Sequence, residues 1–114
     1  MGYESKIIVV ERTEVWNGTV VGETIAEFNL CVVNCNFADI FTEPIDFNLY
    51  IDGNPTMSDC YGRHCCMADV DDVVKALEKM SEEIDYRRFA PAIGLLKGFE
   101  QNKWDTLKVV HYGY

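Results

Sequence analysis

Residues 59–84, DCYGRHCCMADVDDVVKALEKMSEEI, hold the change of pattern that decides the fold. Upstream of them the chain reads as strands; inside them a helix begins. Val70, Val73, Val74, Leu77 and Ile84 recur at helical spacing, and Met80 extends the stripe. Asp69 fits the N-cap, and Asp71 and Asp72 place negative charge at the positive end of the helix dipole. Lys75 with Glu78, and Lys79 with Glu82 or Glu83, are expected to pair on the solvent face. These carboxylates therefore build a helix, and no catalytic role is expected of them.

Working back from this stretch, residues 6–10 (KIIVV) form a β-branched run, the pattern of a strand covered on both faces. Asn17-Gly18 predicts a hairpin with a type I′ turn, folding residues 6–16 against residues 19–33. Gly22 marks a candidate bulge. Beyond it Thr24, Ala26, Phe28, Leu30 and Val32 share one face, and Glu27 and Asn29 the other. In residues 34–44, Phe37, Ile40 and Phe41 suit either a short helical turn on the sheet edge or a bare loop. In residues 46–52, Phe47, Leu49 and Ile51 alternate with Asp46, Asn48, Tyr50 and Asp52. Gly53-Asn54-Pro55 turns the chain, and residues 56–61 are expected to return as a second hairpin strand.

Working forward, residues 89–101 predict a second helix with Pro91 in its first turn and Ala92, Leu95, Leu96 and Phe99 as its buried stripe. Gly94 and Gly98, four residues apart, either let another backbone approach closely or, as is more common in a soluble protein, simply loosen the helix. Residues 107–112 read as a strand that enters the sheet beside the N-terminal one. The expectation is one α+β domain over residues 1–114. It has a mostly antiparallel sheet of about five strands, formed by two hairpins plus a C-terminal strand, with two helices packed on one face.

Composition narrows the function classes. The chain is 48% apolar and carries a net charge of -9. That charge argues against direct contact with nucleic acid, whose phosphates require Lys and Arg, and against docking on anionic membranes. No apolar run reaches the length of a membrane span, and the N-terminal apolar run is too short for a signal peptide. A cytoplasmic location is expected, which an odd count of five cysteines fits. Charge is also uneven. Residues 13–62 hold eight acids and no Lys or Arg, whereas residues 87–114 hold five basic residues and two acids.

Three constellations bear on chemistry. Cys31, Cys35, Cys60, His64, Cys65 and Cys66 are the ligand types of a structural zinc domain, but no C-x-x-C pair is present. The reading of these thiols as buried residues is preferred, with no metal or other cofactor expected. A nucleophilic Cys65 or Cys66, placed before a helix beside Arg63 and His64, is opposed by the carboxylates at that helix start. Tyr86, Arg87 and Arg88 suit a bound phosphate or carboxylate, and so a small nucleotide-like ligand that the protein sequesters. Last, Glu27, Asp46, Tyr50 and Asp52 are expected on exposed strand faces. Alternate strand residues stand about 6.5–7 Å apart, similar to successive phosphates of a nucleic acid, so this face can meet a basic protein.

The opening YESKIIVV and the Asp59-x-Tyr61-Gly62 step before an acid-capped helix resemble the small uncharacterised proteins encoded by phages and mobile elements of Gram-positive gut bacteria. So do the DYRR junction at residues 85–88 and the KW…VVHYGY ending. His64, Cys65 and Cys66 depart from that pattern. The resemblance implies an anti-CRISPR-like or other anti-defence inhibitor. The expected function is thus a non-enzymatic acidic inhibitor covering the basic, nucleic-acid-binding surface of a bacterial defence nuclease such as a CRISPR effector. Reversal of Glu27, Asp46 and Asp52 is then expected to abolish binding.

Overall fold

The computed structural model describes residues 4–30, 35–83 and 87–114. In chain order the elements are β1 (Ser5–Glu14), β2 (Val20–Asn29), α1 (Cys35–Ala38), β3 (Glu43–Pro44), β4 (Leu49–Ile51) and β5 (Asn54–Thr56). They continue with β6 (Cys66–Asp69), α2 (Val70–Glu83), α3 (Phe89–Gln101) and β7 (Leu107–Gly113). The main sheet has the order β2-β1-β7-β6-β3, with every neighbouring pair antiparallel. This is an α+β fold.

The apolar run of β1 explains why the sheet has two cores. Ile7 and Val9 point to one face, Ile8 and Val10 to the other, and all four are buried. On the first face Val109 and Leu107 join them beneath Val73, Val74 and Leu77 of α2 and Ala92 and Leu96 of α3. On the second, Val110, Tyr112 and Met67 pack under Ile45, Phe47 and Leu49. A strand buried on both sides has no polar alternation to offer, which is why β1 reads as continuous Ile and Val. β7 lies between β1 and β6, the central place expected for it.

A second hairpin forms, but outside the main sheet and with its turn moved. The chain turns at Asp52-Gly53 rather than over residues 53–55, and the return strand is Asn54–Thr56 rather than residues 56–61. β4 and β5 make their own two-stranded sheet, and Asp52 and Gly53 both hold positive φ, at 52° and 80°. That is the two-residue turn favoured by Asp-Gly. The alternation over residues 45–52 holds, with Ile45, Phe47 and Leu49 buried and Asp46, Asn48, Tyr50 and Asp52 exposed. Its inward residues cover a sheet face rather than extend the sheet. The fourth and fifth main-sheet positions are filled by β6 and the short β3, neither of which the sequence pattern marks as a strand. β6 runs directly into α2 at Asp69–Val70.

The first hairpin differs in its turn. Gly18 N–H donates to the Val15 carbonyl at 2.9 Å, and Gly18 alone in that turn has positive φ, at 83°. The turn is centred on Trp16-Asn17 with Gly18 as a left-handed bulge residue, not a type I′ turn on Asn17-Gly18. The strand bulge also lies elsewhere than expected. Val9 pairs with Ala26 and Val10 with Thr24, so Ile25 is the extra residue. The slip turns Thr24 away from the Ala26 and Phe28 face and leaves it exposed. Gly22 has a different duty: a Cβ there would fall among the ring atoms of Phe47.

In α2 the buried stripe is Val70, Val73, Val74 and Leu77; Ile84 lies outside the described residues. The ion pairs rearrange. Lys75 meets Asp71 at 2.9 Å, one turn back, and Glu78 receives Lys97 of α3 at 3.1 Å. Among the described residues no helix is long and apolar enough to cross a membrane.

Candidate functional site

A cleft of about 390 Å³ opens where α2 begins and α3 ends. Asp69, Asp71, Glu100 and Asp105 surround it, with Phe99 and Trp104 as its aromatic wall. Its construction starts at the end of α3. Lys103 takes a left-handed conformation, φ 57°, and its N–H donates to the Glu100 carbonyl at 3.0 Å. Trp104 N–H then donates to the Phe99 carbonyl at 3.3 Å. This pair of bonds is a Schellman cap, in which the residue after the left-handed one folds back on the last turn. The indole accordingly stands edge-on to Phe99, centroids 5.7 Å apart and planes at 78°.

Glu11 of β1 fixes the far side of that indole. Its Oε2 accepts hydrogen bonds from Trp104 Nε1 and Thr106 Oγ1, each at 2.8 Å. These two donors hold the Glu11 carboxyl below its ordinary range. At the other rim Lys108 Nζ reaches Asp69 at 2.5 Å and Glu43 at 3.7 Å, which raises the Lys108 pKa. Asp71 holds Lys75. Glu100 and Asp105 take part in no direct ion pair among the described residues, and the charge of Glu100 acts on Lys75 from farther off. A cation entering the cleft thus meets two carboxylates that form no direct ion pair and two aromatic side chains, the chemistry that suits guanidinium or ammonium.

The residues singled out from the sequence are dispersed. Asp46 receives Arg12 through Nε to Oδ1 at 2.9 Å and Nη2 to Oδ2 at 2.6 Å, and this contact lowers its pKa. Asp52 serves the β4–β5 turn. Glu27 lies on the edge strand β2 opposite Ile8, and Tyr50 is 61% exposed on β4. Arg88 Nη1 donates to the Asn29 carbonyl at 2.9 Å, tying the start of α3 to the end of β2. Arg87 is exposed. Tyr86 lies outside the described residues, so no three-residue ligand site is drawn from it.

The thiols are separated by strand alternation. Cys65 is buried on the Phe47 face, and Cys66 packs on the opposite one. Burial, reinforced by the charge of Asp59, pushes the Cys65 thiol up to about 12, the reverse of nucleophile activation. Cys66 is the first residue of β6, so residues 67–69 stand between both thiols and the start of α2. Cys60 is exposed, and His64 Nε2 donates to the Ile45 carbonyl at 2.9 Å. Among the described residues no three or more His, Cys, Asp or Glu gather in a way that could hold a metal ion. Cys31 and the side chain of Cys35 lie outside the described residues.

His111 is buried against the rings of Phe37 and Phe41, and its Nε2 shares a 2.8 Å hydrogen bond with Ser5 Oγ. Burial lowers the His111 pKa, with Arg63 adding to the effect and Asp59 opposing it. Ser5 is 1% exposed, so the hydroxyl is closed to any substrate and the pair is a buried strand-to-strand tie. Compared with protein-family models, curated proteins and solved structures, the chain matches none.

Proposed function

We propose that this protein is a non-enzymatic binding protein that takes a Lys or Arg side chain of a basic partner into the Phe99–Trp104 cleft. The observation that carries this reading is the pair Glu100 and Asp105, set in one cleft with Phe99 and Trp104 and forming no direct ion pair among the described residues. A guanidinium stacked on an indole contributes about 0.5–2 kcal/mol. Charge-assisted hydrogen bonds from the two carboxylates would add direction to that contact. The net charge of -9 supplies long-range attraction to a basic surface and speeds encounter at low salt.

The partner class to try first is the nucleic-acid channel of a bacterial defence nuclease, because the chain resembles phage-encoded proteins and such channels are lined with basic residues. The test is displacement of nucleic acid from a purified CRISPR effector nuclease, read by fluorescence anisotropy. The expected result is displacement by the native chain and none by Glu100→Lys/Asp105→Lys. Displacement by both proteins would remove the cleft from the account, and displacement by neither would remove the nuclease.

A further inference from the structure

We propose that the apolar groove along α3 seats an apolar side chain of the same partner segment whose basic residue enters the acidic cleft. The inference rests on the basic-partner reading and adds the sequence character of the partner. The groove has a volume of about 520 Å³ and is lined by Gly94, Leu95, Gly98, Phe99, Asn102 and Trp104. Phe99 and Trp104 also wall the acidic cleft, so the two depressions meet along one ridge of rings. Nothing stands within 4 Å of where a Cβ would sit on Gly94 or Gly98, which leaves this side of α3 open. Leu95 is half-buried at its centre, and the Asn102 amide is turned onto the Gly98 carbonyl at 2.7 Å.

Charge selects the occupant. A second copy placed on this groove would bring together two chains of net charge -9, and repulsion opposes that pairing. An anionic membrane is opposed in the same way. A segment with a Lys or Arg beside an apolar residue satisfies both depressions at once. One aromatic ridge then contacts the apolar side chain on one side and the cation on the other, the arrangement of an interface anchor with a charged neighbour.

The test uses the full chain carrying Trp16→Phe, which leaves Trp104 as the reporter; Trp16 is 97% exposed, so the change is tolerated. Three synthetic peptides of about 15 residues, long enough to form a helix, serve as probes: Lys–Leu with one apolar face, Lys–Ser of equal charge, and Glu–Leu. The expected order of affinity is Lys–Leu, then Lys–Ser, with no binding of Glu–Leu, and a blue shift of Trp104 emission with Lys–Leu. Gly94→Leu/Gly98→Leu fills the groove and favours the helix, so it folds. This variant is expected to weaken Lys–Leu binding about tenfold, equivalent to losing the burial of one leucine-sized side chain. Lys–Ser binding stays as before. Unchanged Lys–Leu affinity in that variant overturns the groove and leaves the basic-partner reading standing. No binding of either lysine peptide overturns both. Sedimentation showing a native dimer that Gly94→Leu/Gly98→Leu dissociates assigns the groove to a second copy, and binding to phosphatidylcholine vesicles assigns it to lipid; either result overturns the proposal.

Discussion

Arg12 and Asp46 join β1 to the segment before β4 through two parallel N–H···O bonds, at 2.9 and 2.6 Å. The tie crosses from the sheet to the segment that covers its second core, and it neutralises one of the eight acids of residues 13–62.

Asp46 is therefore expected to contribute to stability. Its folded pKa lies below the ordinary value of 3.8, chiefly through the Arg12 hydrogen bond. A lowered carboxyl pKa contributes stability above the unfolded value that is lost as pH falls through the folded one. Urea midpoints of the native chain and Asp46→Asn are expected to differ slightly at about pH 6 and to converge at about pH 2. A gap that widens in acid contradicts the assignment.

Gly22 and Phe47 make the closest fit in the second core. A methyl at position 22 forces the Phe47 ring to move, and overpacking of this kind costs about 1–3 kcal/mol. Gly22→Ala is expected to lower Tm, and Phe47→Leu in that background to recover part of the loss. An unchanged Tm in Gly22→Ala shows that the ring has room to move.

Lys103 holds a conformation that L side chains disfavour, at φ 57°. Lys103→Gly removes that cost and is expected to stabilise the protein by about 0.5–1 kcal/mol, with Trp104 emission unchanged. Lys103→Ala gives no such gain. A destabilised Lys103→Gly would mean that the cap is not formed in solution.

The Cys65 thiol, buried and raised to about 12, is expected to react far more slowly than exposed Cys60. Brief alkylation of the folded protein followed by peptide mass spectrometry compares the two directly. Equal labelling of Cys65 and Cys60 contradicts the burial.

Much of the fold is legible because periodicity reports burial. The 70-73-74-77 stripe and the Ile7–Val10 run state which faces are covered, and α3 begins and ends where its pattern does. β6 was missed because CMAD is four residues long and β7 and β3 supply its pairing from elsewhere in the chain. Thr24 was placed on the wrong face because one extra residue, Ile25, reverses the parity of everything before it. The cleft was hidden for a related reason. Its indole is positioned by a Schellman cap whose left-handed residue is Lys103 rather than the usual glycine, and by Glu11, 93 residues away. Asp46 looked available because Arg12 is 34 residues distant. A Trp at the end of a Gly-containing helix, followed by Asp105, was the available signal.

The most direct test of the central claim is the affinity of the Lys–Ser peptide for three proteins, measured by calorimetry across a salt series. The native chain is expected to bind, with affinity falling steeply as salt rises. Glu27→Lys/Asp52→Lys is expected to retain most of that binding, and Glu100→Lys/Asp105→Lys to lose it. Loss in the Glu27 and Asp52 variant with retention in the Glu100 and Asp105 variant would contradict the account and return the site to the β2 and β4 faces.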